Sequence, residues 1–366
     1  MRSSARRARS SNVWSWLLPA VALTAIWFLC VMHLRRYDLL VFVRAGGDVL
    51  AGRDPFPVLG TPSVYAGDAF VYPWLSAFAF APLSVLPHPV ADIVYFILSG
   101  LAVVVGCRAA GLRDPVSVLL VLTAATTIRG FQVGSLNALL FLGCVLAWKY
   151  RDHVLRVAGV LTLVVGTKIF LAPILGWLVL SRRWRALGAT LFGLFVVLGA
   201  SFVLGPLSGP GYLSLLGSLA RHEGVQGFSL YRVLEHDVGP SAGRVLTAVL
   251  ALAVLLAVAL VRRGTDPGSD LALYAASIVA ALVLTPVLWS HYIVIALAPL
   301  VLARPPRGAL ALASAVSWAV APVMLPQLVE IRTTSQGILL LYAGLLVLAV
   351  GLALRTRWPA RRAGRP

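Results

Sequence analysis

The chain has 366 residues and a net charge of +18, yet 60% of it is hydrophobic and only 12% is charged. A soluble domain carries roughly 25% charged residues, so this composition cannot clothe a water-facing surface and excludes an ordinary soluble fold. The Arg and Lys residues stand in short clusters between apolar blocks, without aromatics interleaved on a polar face, which argues against nucleic acid as a partner and fits the gathering of basic residues on cytoplasmic loops.

The apolar blocks run to roughly 15–20 residues each, long enough or nearly so to cross a hydrocarbon core. In lipid the backbone must satisfy its own hydrogen bonds, so the blocks are predicted to be helices. No two-residue alternation marks a barrel. The expected fold is all-α, a polytopic membrane protein of about twelve transmembrane helices.

In chain order, residues 1–12 form a basic cytoplasmic N-terminus. The apolar run Val13–Met32 is too long for a signal peptide, and no small-residue cleavage site follows it, so it reads as a retained first helix. Residues 34–70 become an outer loop rich in Gly and Pro. The stretch Tyr72–Leu86 is short and bounded by prolines; if it spanned, Arg108 and Arg113 would lie outside. It is therefore expected to be a half-buried juxtamembrane helix on the outer face. Further spans are expected at about 90–107, 116–128, 131–148, 155–167, 169–181, 187–205, 241–261, 271–288, 290–303, 309–325 and 337–355, with a second outer loop at 206–240. Residues 13–355 thus form a single membrane domain, and 356–366 a basic cytoplasmic tail. The spans meeting near Lys168 and near Ser290 are short, and broken backbone at membrane depth survives only inside protein or beside a wet cavity. Cys30, Cys107 and Cys144 all lie in apolar segments and read as small buried hydrophobes.

Ionisable groups at membrane depth are costly and usually functional. On this topology Asp38, Arg44, Asp48, Asp54, Lys168, Arg221, His222, Glu223, Arg232 and His291 all reach the outer face. Asp38 is either a general base toward a hydroxyl, an acidic partner for Arg35 or Arg36, or a helix cap. Lys168 either binds a lipid phosphate or snorkels to the interface. His291, between Trp289 and Tyr292, either donates to a phosphate oxygen or belongs to an aromatic belt. Gln132, Ser135 and Asn137 cap a helix, glue helices together or bind sugar hydroxyls. His222 and His236, each followed by a carboxylate, lack metal-ligand spacing. No phosphate-cradling glycine motif and no nucleophile elbow is present.

Several segments, in order, carry a resemblance. YDLLVFVRAGGDVLAGRDPF and VYPWLSAFAFAPLSVLP, then GSLNALL, GTKIFLAPILGWLVLSRRWRA, QGFSLYRVL and TPVLWSHYIVIALAPLVLA are similar to the motifs of glycosyltransferase family 87. That family has the GT-C architecture, and its best-known members are mannosyltransferases that use a polyprenyl-phosphate-mannose donor. The resemblance implies that Asp38 matches the family's acidic residue, which is taken as catalytic. It implies that Lys168, His291 and Arg232 hold the donor phosphate. Arg44, Asp54, Tyr72, Asn137, Gln226, Ser229, Trp289 and Tyr292 would then contact substrate. The sequence departs from the pattern at Phe42, Phe56, Trp74, Ser135, Gly227 and Phe228, which leaves the acceptor and the sugar open while the acidic residue is kept.

The expected reaction is a single inverting displacement, with membrane lipids, a polyprenyl-phosphate sugar and a lipid or glycan acceptor as partners, and neither metal nor cofactor required. The expected location is the plasma membrane, both termini cytoplasmic and the site outside. A transporter or flippase is the rival reading, but the inverted repeats it calls for are not visible; the other rival is a non-catalytic envelope-assembly subunit.

Overall fold

Every regular element among the described residues is a helix. The computed structural model describes residues 16–65, 69–223, 227–261, 267–320 and 335–355. The chain opens with α1 (Trp16–Val31), α2 (Tyr37–Leu50), α3 (Leu75–Phe78) and α4 (Ala81–Ser84). Next come α5 (His88–Ala109), α6 (Pro115–Leu122), α7 (Ala125–Val133), α8 (Asn137–Lys149) and α9 (Val154–Thr167). A 3-10 turn, Ile169–Ile174, leads into α10 (Leu175–Leu180), followed by α11 (Trp184–Leu204), α12 (Gly209–Glu223), α13 (Leu230–Val238), α14 (Pro240–Val261) and α15 (Pro267–Leu284). A second 3-10 turn, Ser290–Ala296, leads into α16 (Leu297–Leu302), α17 (Arg307–Val320) and α18 (Ser335–Arg355).

Three of the described helices are long and apolar enough to cross a membrane: His88–Ala109, Trp184–Leu204 and Pro240–Leu260. The pair α6 and α7, bent by 57° at its break, adds a fourth if taken as one span. These helices bare their apolar side chains; Phe195 is 74% exposed and Leu260 84%. Such a surface belongs against lipid rather than water. α15 is the opposite case. Residues 271–283 are buried all round, and an all-round apolar helix is a core helix. It packs against α14, α18 and the turn at 169–174.

Three expectations need revision. Residues 72–86 are two four-residue helices rather than one, because Pro82 has no N–H to give and its ring crowds the preceding turn. The expected outer loops are largely helical, holding α2, α12 and α13. The bundle breaks at 123–124 and 134–136, not at 129–130. By contrast the breaks expected at Lys168 and Ser290 are present, each an extended residue followed by a 3-10 turn.

At the far end of α8 the connections are clamped. Asp270, 6% exposed, accepts from Trp177 Nε1 at 2.7 Å and from both guanidinium nitrogens of Arg183 at 2.8 Å. Replacing one partner of a buried pair leaves the others unsatisfied. We expect Asp270→Ala to cost roughly 2–4 kcal/mol, reduced from the fully buried case because Arg183 still meets solvent. Thermal unfolding in detergent measures this. Turnover per folded molecule should be unchanged, since Asp270 lies beside Arg151, just past the far end of α8 and roughly 20 Å along that helix from the cluster described next.

Candidate active site

Asp38 sits in the first turn of α2, where a carboxylate suits the helix dipole. α2 is anchored just before it. Arg36, 2% exposed, donates to the Asp92 carbonyl at 2.5 Å and to the Phe131 carbonyl at 3.2 Å, and its Nη1 lies 3.6 Å from the Asp92 carboxylate. Arg36 is therefore committed to α5 and α7. Arg35 lies over the Tyr37 ring. On the other side of the same corner, Gly134 closes α7 in the left-handed region with φ 73°. A Cβ there would come within 2.6 Å of Leu39 Cβ, so only glycine lets the α7–α8 connection lie this close to α2. Tyr95 Oη donates to the Ser135 carbonyl at 3.0 Å, and Gln132 Nε2 to the Cys30 carbonyl at 3.1 Å.

Lys168 sits at the break after α9, its backbone extended at φ −129° and ψ 96°. Its Nζ donates to Asn137 Oδ1 at 3.3 Å and lies 3.7 Å from the centre of the Tyr292 ring. Tyr292 in turn stacks on Phe170 at 5.2 Å. His291 begins the second break: Trp289 is extended and the 3-10 turn brings the imidazole inward to 6% exposure. His291 Nε2 stands 3.6 Å from Asp38 Oδ2, close enough for attraction but beyond a hydrogen bond. Tyr72 joins from the stretch before α3, its ring 4.8 Å from Phe42 and 5.7 Å from Lys168 Nζ.

The structure thus brings Asp38, Tyr72, Asn137, Lys168, His291 and Tyr292 into one cluster. Trp289 borders it in the chain. Three other sequence candidates, Arg232, Ser229 and Asp54, are engaged elsewhere. Arg232 Nη1 donates to the Gly227 carbonyl at 3.2 Å, and Ser229 caps α13. Asp54, exposed, accepts from Phe56 N at 2.8 Å in its own turn. Arg44 is exposed on α2. Gln226 lies outside the described residues.

Burial pushes the Asp38 carboxyl up to about 6, against the opposing pull of Lys168 and Arg129. Arg129 is absent from the sequence candidates. Its signal was available: a lone arginine at the outer end of a span runs against the positive-inside trend. Glu223 is the second addition. Burial and the charge of Asp38 both raise its carboxyl, so the end of α12 faces the same cleft. Among the described residues no three His, Cys, Asp or Glu side chains gather as a metal-binding group.

The sequence profile of glycosyltransferase family 87 matches residues 70–290, more than half of the chain. The matched stretch contains Tyr72, Arg129, Asn137, Lys168 and Glu223; Asp38 precedes it and His291 lies one residue past its end. No curated protein and no solved structure matches the chain.

Proposed function

The chain belongs to glycosyltransferase family 87, and from that premise we propose that it moves a sugar, mannose first among the candidates, from polyprenyl phosphate to a lipid or cell-envelope glycan. The observation that carries the reading is the meeting of one carboxylate, one imidazole and one ammonium at two helix breaks: Asp38 with His291 at 3.6 Å, and Lys168 beside them on Asn137 and Tyr292. A buried site with a single base and a facing cation suits transfer away from an anionic leaving group.

The reaction runs as follows. Asp38 takes the proton of an acceptor hydroxyl. The acceptor oxygen bonds to the anomeric carbon as the bond from that carbon to the phosphate oxygen breaks, with inversion. Polyprenyl phosphate leaves with the electron pair and needs little acid help, being a stable anion. Lys168 meets the charge growing on the phosphate. His291 gains a role beyond phosphate binding: with a carboxylate opposite at 3.6 Å, the tautomer carrying its proton on Nε2 is favoured, and that N–H faces Asp38 and favours its ionised form. Tyr72 and Tyr292 wall the sugar subsite, and holding both substrates in line supplies much of the remaining acceleration. The scheme is complete without a metal or cofactor.

A groove of about 390 Å³ supports a lipid-linked donor. Its walls are apolar, from Phe80, Leu83, Leu136, Leu140 and Val164, and its lining includes Thr167, the neighbour of Lys168. An isoprenoid chain in this groove would bring its phosphate to the lysine. The same reading includes a GT-C bundle of about twelve spans in the plasma membrane, both termini cytoplasmic and Asp38 on the outer side.

The test uses purified protein in sealed vesicles, oriented with the expected outer face outward and given radiolabelled polyprenyl-phosphate-mannose. Extracted membrane lipids are offered as acceptors outside only. Label should move to lipid. Donor bound but never transferred would reject the acceptor class; no donor binding would reject the polyprenyl-phosphate reading.

A further inference from the structure

We propose that Asn137, with its amide locked by Lys168 at the start of α8, is a ligand of the donor's phosphate. This deepens the function proposed above and rests on it.

An ammonium group only donates. Lys168 Nζ lies 3.3 Å from Asn137 Oδ1, so the amide oxygen must face the lysine and the amide nitrogen must face away. That nitrogen is buried and makes no hydrogen bond within the protein. Asn137 itself is 0% exposed. A buried amide donor without an acceptor costs the full desolvation of the group, and a fold keeps such a group where a ligand completes it.

The position of Asn137 identifies the ligand's charge. It is the first residue of α8, a helix of 13 residues; its own N–H is met by Ser135 Oγ at 3.4 Å, and Leu136 before it offers no side-chain acceptor to the rest of the first turn. The opening turn of a helix carries unsatisfied N–H groups and partial positive charge, and this one is buried: Leu136 is 5% and Ala138 6% exposed. Lys168 adds its ammonium group at hydrogen-bonding distance from the same side chain, and among the described residues it makes no ion pair with a carboxylate within 4.0 Å. Donors and positive charge therefore converge on one point, which is the preference of a phosphate oxygen. The apolar groove is lined by Leu136 and Thr167, the chain neighbours of Asn137 and Lys168, and by Leu140, so the chain of a lipid phosphate would lie beside this point.

Two lipids share this chemistry, the polyprenyl-phosphate donor and an ordinary anionic phospholipid. The experiment separates them. Polyprenyl monophosphate, the leaving group of the proposed reaction, is titrated onto detergent-purified protein, and phosphatidylglycerol is titrated in parallel. Asn137→Asp is the informative variant. It is isosteric and keeps an oxygen toward Lys168, so the ligand-free unfolding temperature should hold or rise; it replaces the donor with a negative oxygen. Asn137→Ser, neutral and smaller, guards against a folding defect in the first. We expect Asn137→Asp to weaken polyprenyl monophosphate binding about 10- to 100-fold and Asn137→Ser about 10-fold, with phosphatidylglycerol unaffected. Unchanged binding in Asn137→Asp would overturn the proposal and leave Asn137 a structural partner of Lys168. Equal loss for both lipids would also overturn it, in favour of a phospholipid site. Wild-type transfer activity keeps the two levels apart. A wild type that transfers sugar while Asn137→Asp binds normally defeats this inference alone, whereas a wild type that neither binds nor transfers defeats the proposed function.

Discussion

Asp38→Asn is expected to reduce sugar transfer by about 10²- to 10⁴-fold, the usual contribution of a positioned base, while donor binding and the unfolding temperature stay near those of the wild type. The amide has the shape of the carboxylate and can still face His291 Nε2, which lies 3.6 Å away. What it cannot do is take a proton. The pH profile sharpens the test. Burial lifts the Asp38 carboxyl to about 6, and the base works only when ionised. Transfer by the wild type should therefore be level above that pH and fall about tenfold per unit below it, whereas the residual rate of Asp38→Asn should not follow that curve. Equal transfer by both proteins would remove Asp38 from the mechanism. The carboxylate to try next is Glu223, which feels the charge of Asp38 from the end of α12.

How much of this site can be read in the sequence depends on the kind of signal each residue leaves. Asp38, Lys168 and His291 stand out because each is a polar residue at the edge of an apolar run, where lipid makes it expensive. The breaks at Lys168 and Ser290 are legible for a related reason: two apolar runs, each too short to span, must meet inside protein. The helices of the outer segments were harder. α12 and α13 carry enough Gly, Ser and charge to read as loop, and only packing of their apolar faces decides for helix. Tyr212 and Leu215 of α12, for example, are buried at 3% and 0%. Pairings across the chain leave no local mark at all. Nothing near Arg36 says that it will meet Asp92 on α5 instead of Asp38 two residues on. Arg129 beside Gly130 reads locally as part of a turn, whereas the turn falls at Gly134.

That turn supports the second large expectation. Gly134→Ala should destabilise the protein by roughly 2–5 kcal/mol, combining about 1–2 for a side chain in the left-handed region with about 1–3 for overpacking. Its effect on activity should be larger than the stability loss implies. The new methyl group would meet Leu39 Cβ at 2.6 Å and Leu39 N at 3.2 Å, and Leu39 is the residue after the proposed base. α2 cannot retreat freely, because Arg36 ties its start to α5 and α7. The strain is therefore released by rotation or shift of the turn that carries Asp38, and a displacement of about 1 Å at a reacting group costs on the order of 10²-fold in rate. Gly52→Ala is the matched comparison. Its backbone is also left-handed, at φ 67°, but nothing lies within 4 Å of the added carbon. It should lose about 1–2 kcal/mol and keep full turnover per folded molecule. If both variants lost activity in proportion to stability, the contact between Gly134 and Leu39 would be ordinary packing. A rate loss confined to Gly134→Ala, with unfolding temperatures measured alongside, would mean that the connection between α7 and α8 sets the position of Asp38.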